Sequence, residues 1–256
     1  RILCFIVRFG SVNRILCLRS RMRGVIMNVA VSAEKILNGA KSSSVREKLI
    51  GRTPKSAKLS KKGQASLAQE VVQTVDLPHP IYIESADGPY LTDVDGNRYV
   101  DLTAGFGPNV LGNRPKVVEQ AISNQIKKGW HFGIPGPGQS ELAGILKEAS
   151  PVTEQVVFCN SGSEATMFAF RAARAYTGKQ VVALFDGSYH GIHDYALTKA
   201  DLKSDRSKPR SKVMGAGVPE VVPQELMLML PYRDENAFDL IRQHKDSLAM
   251  VVVEPV

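Results

Sequence analysis

Three apolar runs without alternation constrain this chain more than any other feature. They are VVFC at 156–159, QVVALF at 180–185 and AMVVVE at 249–254. Alternation marks a strand with one wet face, whereas an unbroken apolar run marks a strand buried on both. Between the first two lies a helix-like segment, Glu164–Tyr176, apolar on one side and bearing Arg171 and Arg174. Strand, helix and strand in that order predict parallel pairing through a right-handed crossover. The expected class is therefore α/β.

Upstream, YLTDVDGNRYVDL places apolar or aromatic residues on both sides of Asp95-Gly96-Asn97. This predicts a hairpin, with Gly96 free to take positive φ at the turn. Pro115 suits the first turn of a helix over KVVEQAISNQIKKG. Its apolar residues Val117, Val118, Ala121, Ile122 and Ile126 recur at helical spacing. Gly-rich loops at 104–113 and 129–138 flank that segment, and a further helix is predicted over Glu141–Ala149.

The net charge of +8 divides unevenly: residues 1–63 carry +13 and residues 64–256 carry −5. The basic character sits in the leader, so the folded body loses the electrostatic argument for binding nucleic acid. Residues 1–33 hold six arginines and no acid. An unprocessed or misread start, an organellar transit peptide and a nucleic-acid arm all fit that pattern. Residues 41–66 are rich in Ser and Lys and read as a tail or mobile linker. No stretch reaches the ~18 apolar residues of a membrane span. Three cysteines without a CxxC pair favour a reducing compartment, and a cytoplasmic location is expected. The expected domains are a leader over 1–66, an amino-terminal segment over 67–135 and the first part of a large ligand-binding domain over 136–256. Val256 follows a buried-type strand directly, so a longer protein is expected.

Asn160-Ser161-Gly162-Ser163-Glu164 falls between a predicted strand and a predicted helix. The first amides of a helix lack internal partners and carry partial positive charge, so an anion can dock there. Ser161 and Ser163 add hydroxyl donors, and Gly162 admits a close approach. A helix cap by either serine explains the same residues. At the matching edge of the next strand lies Asp186-Gly187-Ser188-Tyr189-His190-Gly191. Tyr189 can stack on a flat ring there or pack in the core. A metal at His190, His193 and Asp194 lacks the rest of a ligand set, so no metal is expected.

In order, DVDGNRYVDL, FGPNVLGN, GWHFGIPGPGQSELA, NSGSEATMFAFRAARAYTGK, FDGSYHG and VVVEP resemble the class III, fold type I, pyridoxal-phosphate aminotransferases. Within that family they look like the glutamate-1-semialdehyde 2,1-aminomutase branch. The resemblance runs from about Ile81 to Val256. It implies a three-layer α/β/α fold with a mostly parallel sheet, incomplete in this chain. It implies pyridoxal 5'-phosphate as cofactor and amino-group transfer on a small amino acid or amino aldehyde. It implies a homodimer, while hydropathy and the charge of the body lead to the expectation of no membrane or nucleic-acid partner. A truncated relative that holds a phosphate ligand without catalysis is the alternative.

Position by position, the resemblance assigns the cofactor phosphate to Ser161, Gly162 and Ser163. Tyr189 matches the ring-stacking aromatic, with His190 beside it. Phe132 and Gly133 match a substrate-pocket loop, and Glu254 matches a supporting glutamate. Ser163 stands where threonine is common, and IPGPGQ departs from the usual stretch. The Schiff-base lysine and the aspartate facing the pyridinium are expected after Val256, so no catalytic residue is assigned here. Lys179 and Lys199 read as solvated.

Overall fold

A computed structural model describes residues 41–67, 77–201, 204 and 210–254. The leader over 1–33, with Cys4, Cys17, Met22 and Met27, lies outside the described residues. The chain forms two compact units, one ending at Gly133 and the other continuing from Ile134.

The first unit corrects the expectation of a mobile linker. Two helices, α1 (Lys41–Arg52) and α2 (Pro54–Gly63), occupy that stretch. Periodicity of large apolar residues could not reveal α2, because its buried face consists of Ser56 and Ser60. Thr53 precedes it with no capping bond of its own. The missing cap comes from the hairpin: Asp95 accepts the amides of Lys55 (2.7 Å) and Ser56 (3.0 Å). A carboxylate there also complements the positive end of the helix dipole. Asn97 completes the joint, accepting from Arg52 and donating to its carbonyl.

The hairpin forms as predicted. Strand β2 (Tyr90–Asp93) pairs antiparallel with β3 (Arg98–Val100), Leu91 facing Tyr99, and Gly96 takes φ +88° at the turn. An additional strand, β1 (Ile83–Asp87), pairs with the other edge of β2. Asp93 lies fully out of solvent beneath the turn. It accepts from the amides of Asp95 (3.0 Å) and Asn97 (2.7 Å), from Asn97 Nδ2 (2.9 Å) and from the Tyr99 hydroxyl (2.7 Å). Burial works against its charge, but these donors hold the carboxyl below the usual carboxylate range. Tyr99 is pushed up to about 12 by burial and by Asp93. Helix α3 (Lys116–Ile126) follows Pro115 as expected, with its apolar residues exposed among the described residues.

The second unit holds the α/β sandwich. Helix α4 (Pro137–Ala149) opens it, starting four residues before the predicted Glu141. Helix α5 (Gly162–Thr177) leads to β4 (Val181–Phe185). A small antiparallel ribbon follows, β5 (Thr198–Ala200) with β6 (Ser211–Val213). A π-turn at Val222–Leu226 precedes β7 (Met227–Leu230), then come α6 (Asn236–Gln243) and β8 (Leu248–Val252). Strand β4 is central and parallel to both β7 and β8.

Alternate β4 side chains enter different cores. Val182 and Leu184 join Phe170 of α5, Met227, Met229 and Val252. Ala183 joins Leu228, Leu230 and, from α6, Ala237 and Leu240. Helices therefore cover both sheet faces, the three-layer arrangement. Phe170 is wholly buried, and truncation of such a residue costs about 3–5 kcal/mol.

One strand expectation fails. Residues 156–159 carry no regular secondary structure and pair with no strand among the described residues. Val157 stays exposed. The apolar run has strand-like composition, but a ladder also needs a neighbour. The predicted pairing of 156–159 with 180–185 is thus replaced by β4 with β7 and β8.

Candidate functional site

The turn before α5 is a capping box. Ser161 is the N-cap, and its Oγ accepts the Glu164 amide at 3.2 Å. Glu164 reaches back, its Oε2 accepting the amides of Asn160 (2.6 Å) and Ser161 (2.9 Å). The S-x-x-E spacing is visible in the sequence, so this box was available to pattern reading. It occupies the amides of Asn160, Ser161 and Glu164. It leaves those of Gly162 and Ser163, at the first two helical positions, without an intrahelical partner. A Cβ at Gly162 would meet nothing within 4 Å, so an anion can approach there. Ser161 is thus a cap, and the anion reading rests on Gly162 and Ser163.

The loop after β4 packs hard against this helix end. Gly191 takes φ +109°, and a Cβ there would lie 2.6 Å from Ser163 Oγ and 2.8 Å from Ser163 Cα. The Ile192 amide donates to Ser163 Oγ at 3.2 Å. With its oxygen accepting from Ile192, the Ser163 hydroxyl keeps its proton for another acceptor. Tyr189, two residues earlier, is 56% exposed. Its ring does not pack in the core among the described residues. Its amide donates to Glu254 Oε2 at 3.1 Å. Glu254 stands just beyond β8, so the parallel pairing of β4 and β8 brings it to the loop. It supports the backbone that carries the ring.

His190 is buried and bonded through Nε2 to Ser188 Oγ at 2.8 Å. Ser188 directs its own proton to the Phe185 carbonyl. The network therefore assigns the imidazole proton to Nε2, leaving Nδ1 a bare acceptor with no partner among the described residues. Burial pushes this imidazole below its usual value, partly offset by the Glu254 carboxylate. The neighbouring His193 is lowered mainly by burial as well. His190 thus braces the loop from inside as a neutral group.

Sequence reasoning missed Thr166, whose buried hydroxyl joins α5 to this loop. A threonine inside a helical pattern carries no signal of such a contact. Phe132 and Gly133 belong to the first unit. Phe132 is 54% exposed and Gly133 takes φ +69°. Lys179 donates to the Lys245 carbonyl, and Lys199 is exposed on β5. Cys159 Sγ contacts the Ser161 carbonyl at 3.4 Å. No group of three His, Cys, Asp or Glu suited to a metal ion occurs among the described residues. None of the described helices is long and apolar enough to cross a membrane.

Residues 71–256 match the family model described as aminotransferase class-III. The glutamate-1-semialdehyde 2,1-aminomutase of Methanoculleus marisnigri is 40% identical over 184 residues. That alignment takes in 70% of this chain and 42% of the relative. The protein of the same name from Ignicoccus hospitalis is 42% identical over 182 residues. The chain spans less than half the length of these curated relatives. Among solved structures, an omega-transaminase from Sphaerobacter thermophilus aligns with a TM-score of 0.71 and 32% identity. The alignment covers 78% of this chain and 47% of that one. A glutamate-1-semialdehyde aminomutase from Pseudomonas aeruginosa has the same fold, with a TM-score of 0.71 at 21% identity. It covers 88% of this chain and 48% of its own.

Proposed function

The chain belongs to the class III aminotransferase family, and from that premise we propose that it carries the cofactor-binding part of a pyridoxal-phosphate enzyme. The reaction is amino-group transfer on a small amino acid or amino aldehyde, between two molecules or within one as in the aminomutases. When bound, the cofactor supplies an electron sink for bonds at the amino-bearing carbon. The chain's own residues bind and orient. The amides of Gly162 and Ser163 donate to the phosphate at the positive end of α5. The Ser163 proton is free for the same anion. Tyr189 offers its ring face, and Glu254 and His190 hold its backbone in place. Phe132 and Gly133 are carried as substrate-side residues on the resemblance alone.

The residues fit the group. The observation that carries this reading is a pair of amides with no intrahelical partner, packed directly against the loop of an exposed tyrosine. The relatives' names give no support to a non-catalytic alternative. We also propose a homodimer. Exposed apolar residues support it: Val117, Ile122 and Ile126 on α3, and Leu142 and Ile145 on α4. Cysteine usage supports a cytoplasmic location.

The test is spectrophotometric titration of the complete gene product with pyridoxal phosphate. Tyr189→Ala is expected to weaken retention by about threefold to tenfold, from the ~0.5–1.5 kcal/mol of a stacked aromatic contact. Ser163→Ala removes a charge-assisted hydrogen bond of ~1.5–3 kcal/mol and is expected to weaken it more. Unchanged affinity and spectrum in both variants, with only a lower melting temperature, would leave Tyr189 and Ser163 as structural residues.

A further inference from the structure

We propose that Thr166 is the positioning residue that locks the Tyr189 loop onto the amino-terminus of α5, so that the Gly162 and Ser163 amides and the Tyr189 ring keep one register. The inference rests on reading that helix end as the cofactor site, and extends it to a residue that touches no ligand.

Thr166 lies on the second turn of α5 and is 1% exposed. Its Oγ1 stands 3.1 Å from the Gly162 carbonyl, 3.0 Å from that of Ser163, 2.6 Å from that of His190 and 3.0 Å from His193 Nε2. A hydroxyl has one proton and two lone pairs. Helical threonines ordinarily fold that proton back onto the preceding turn. Here the shortest contact leaves the helix, so the proton goes to the His190 carbonyl. The lone pairs then accept His193 Nε2–H. That assignment leaves His193 Nδ1 bare, and it is buried with no partner among the described residues. The loop is thus held to α5 through the Ile192 amide on Ser163, the His190 carbonyl on Thr166 and the His193 ring on Thr166. Thr166 makes two of these three bonds.

The competing explanation is that Thr166 fills space with its methyl group. Thr166→Val keeps the shape and removes the hydroxyl, whereas Thr166→Ser does the reverse. The complete gene product and both variants are compared by amide hydrogen exchange, pyridoxal-phosphate titration and imidazole nitrogen shifts of His193. Thr166→Val strands the buried His190 carbonyl and the part-buried His193 Nε2–H. Exchange at Tyr189 and Ile192 is expected to rise about tenfold or more, with cofactor affinity falling by a similar factor. Thr166→Ser is expected to stay close to the parent in both. Wild-type behaviour of Thr166→Val, with Thr166→Ser the more impaired, overturns the proposal. If Thr166→Val does not fold, the His193 shifts of the parent and of Thr166→Ser decide. An Nε2–H tautomer in both supports the lock, and an Nδ1–H tautomer overturns it. If the parent takes up no pyridoxal phosphate, the reading of the site fails by itself. The exchange and tautomer results still decide the role of Thr166.

Discussion

Gly191→Ala is expected to abolish stable cofactor retention while leaving the sheet folded. The new methyl would sit 2.6 Å from Ser163 Oγ and 2.8 Å from its Cα, at φ +109°. Neither neighbour can yield easily, because one is helix backbone and the other is the hydroxyl beside the unpartnered amides. Overpacking and left-handed strain together cost roughly 3 kcal/mol or more. The least costly relief swings the loop outward, which breaks the Ile192–Ser163 bond and carries Tyr189 away. Affinity for pyridoxal phosphate is expected to drop about 100-fold or more, the equivalent of roughly 3 kcal/mol. Gly187→Ala is the control. It has φ +86° but nothing within 4 Å of its Cβ, so it tests strain without collision. Its cost is expected near ~1 kcal/mol. Equal losses in the two variants would show that backbone strain, not the close approach, governs the loop.

Asp93→Ala is expected to loosen the first unit. The substitution leaves the Tyr99 hydroxyl and the Asn97 amide groups without their acceptor, at a cost of about 2–3 kcal/mol. Asp93 is out of solvent, although the hairpin around it is thin, so water relieves part of that cost. The Asp95 turn that caps α2 is expected to fray with it, and α1 and α2 to lose amide-exchange protection. The carboxyl also sets a pH dependence. Its folded value lies below the unfolded 3.8. Its contribution is therefore present above 3.8 and lost as pH falls through the lower folded value. Asp93→Asn should flatten that part of the acid profile. It should also return Tyr99 from about 12 towards 10.0, which ultraviolet titration of the phenol reads directly. An unmoved Tyr99 would contradict the hub.

The site was legible wherever function shows as local pattern. Residues 160–164 announce a helix start, whereas the glycine-flanked aromatic after β4 left stacking and core packing both open until the structure placed Tyr189 at 56% exposure. The apolar runs at 180–185 and 249–254 announced buried parallel strands, which β4 and β8 became. What stayed hidden depends on residues distant in sequence. The run at 156–159 has strand chemistry without a neighbour. Helix α2 is anchored through serines and through a carboxylate that lies 40 residues from Lys55. Polar, small-residue burial of that kind resembles a linker when read linearly. Thr166 and His193 meet across 27 residues, and no spacing rule anticipates that. Gly191 was visible as a glycine flanking the aromatic, but its close approach to Ser163 is a property of packing.

The most direct measurement is the location of the phosphate in a crystal structure of the complete gene product with pyridoxal phosphate. The expected result places phosphate oxygens about 3 Å from the Gly162 and Ser163 amide nitrogens, within reach of Ser163 Oγ, with the Tyr189 ring against the pyridine. A phosphate bound elsewhere, with those amides facing water and Tyr189 away from the ring, would contradict the account.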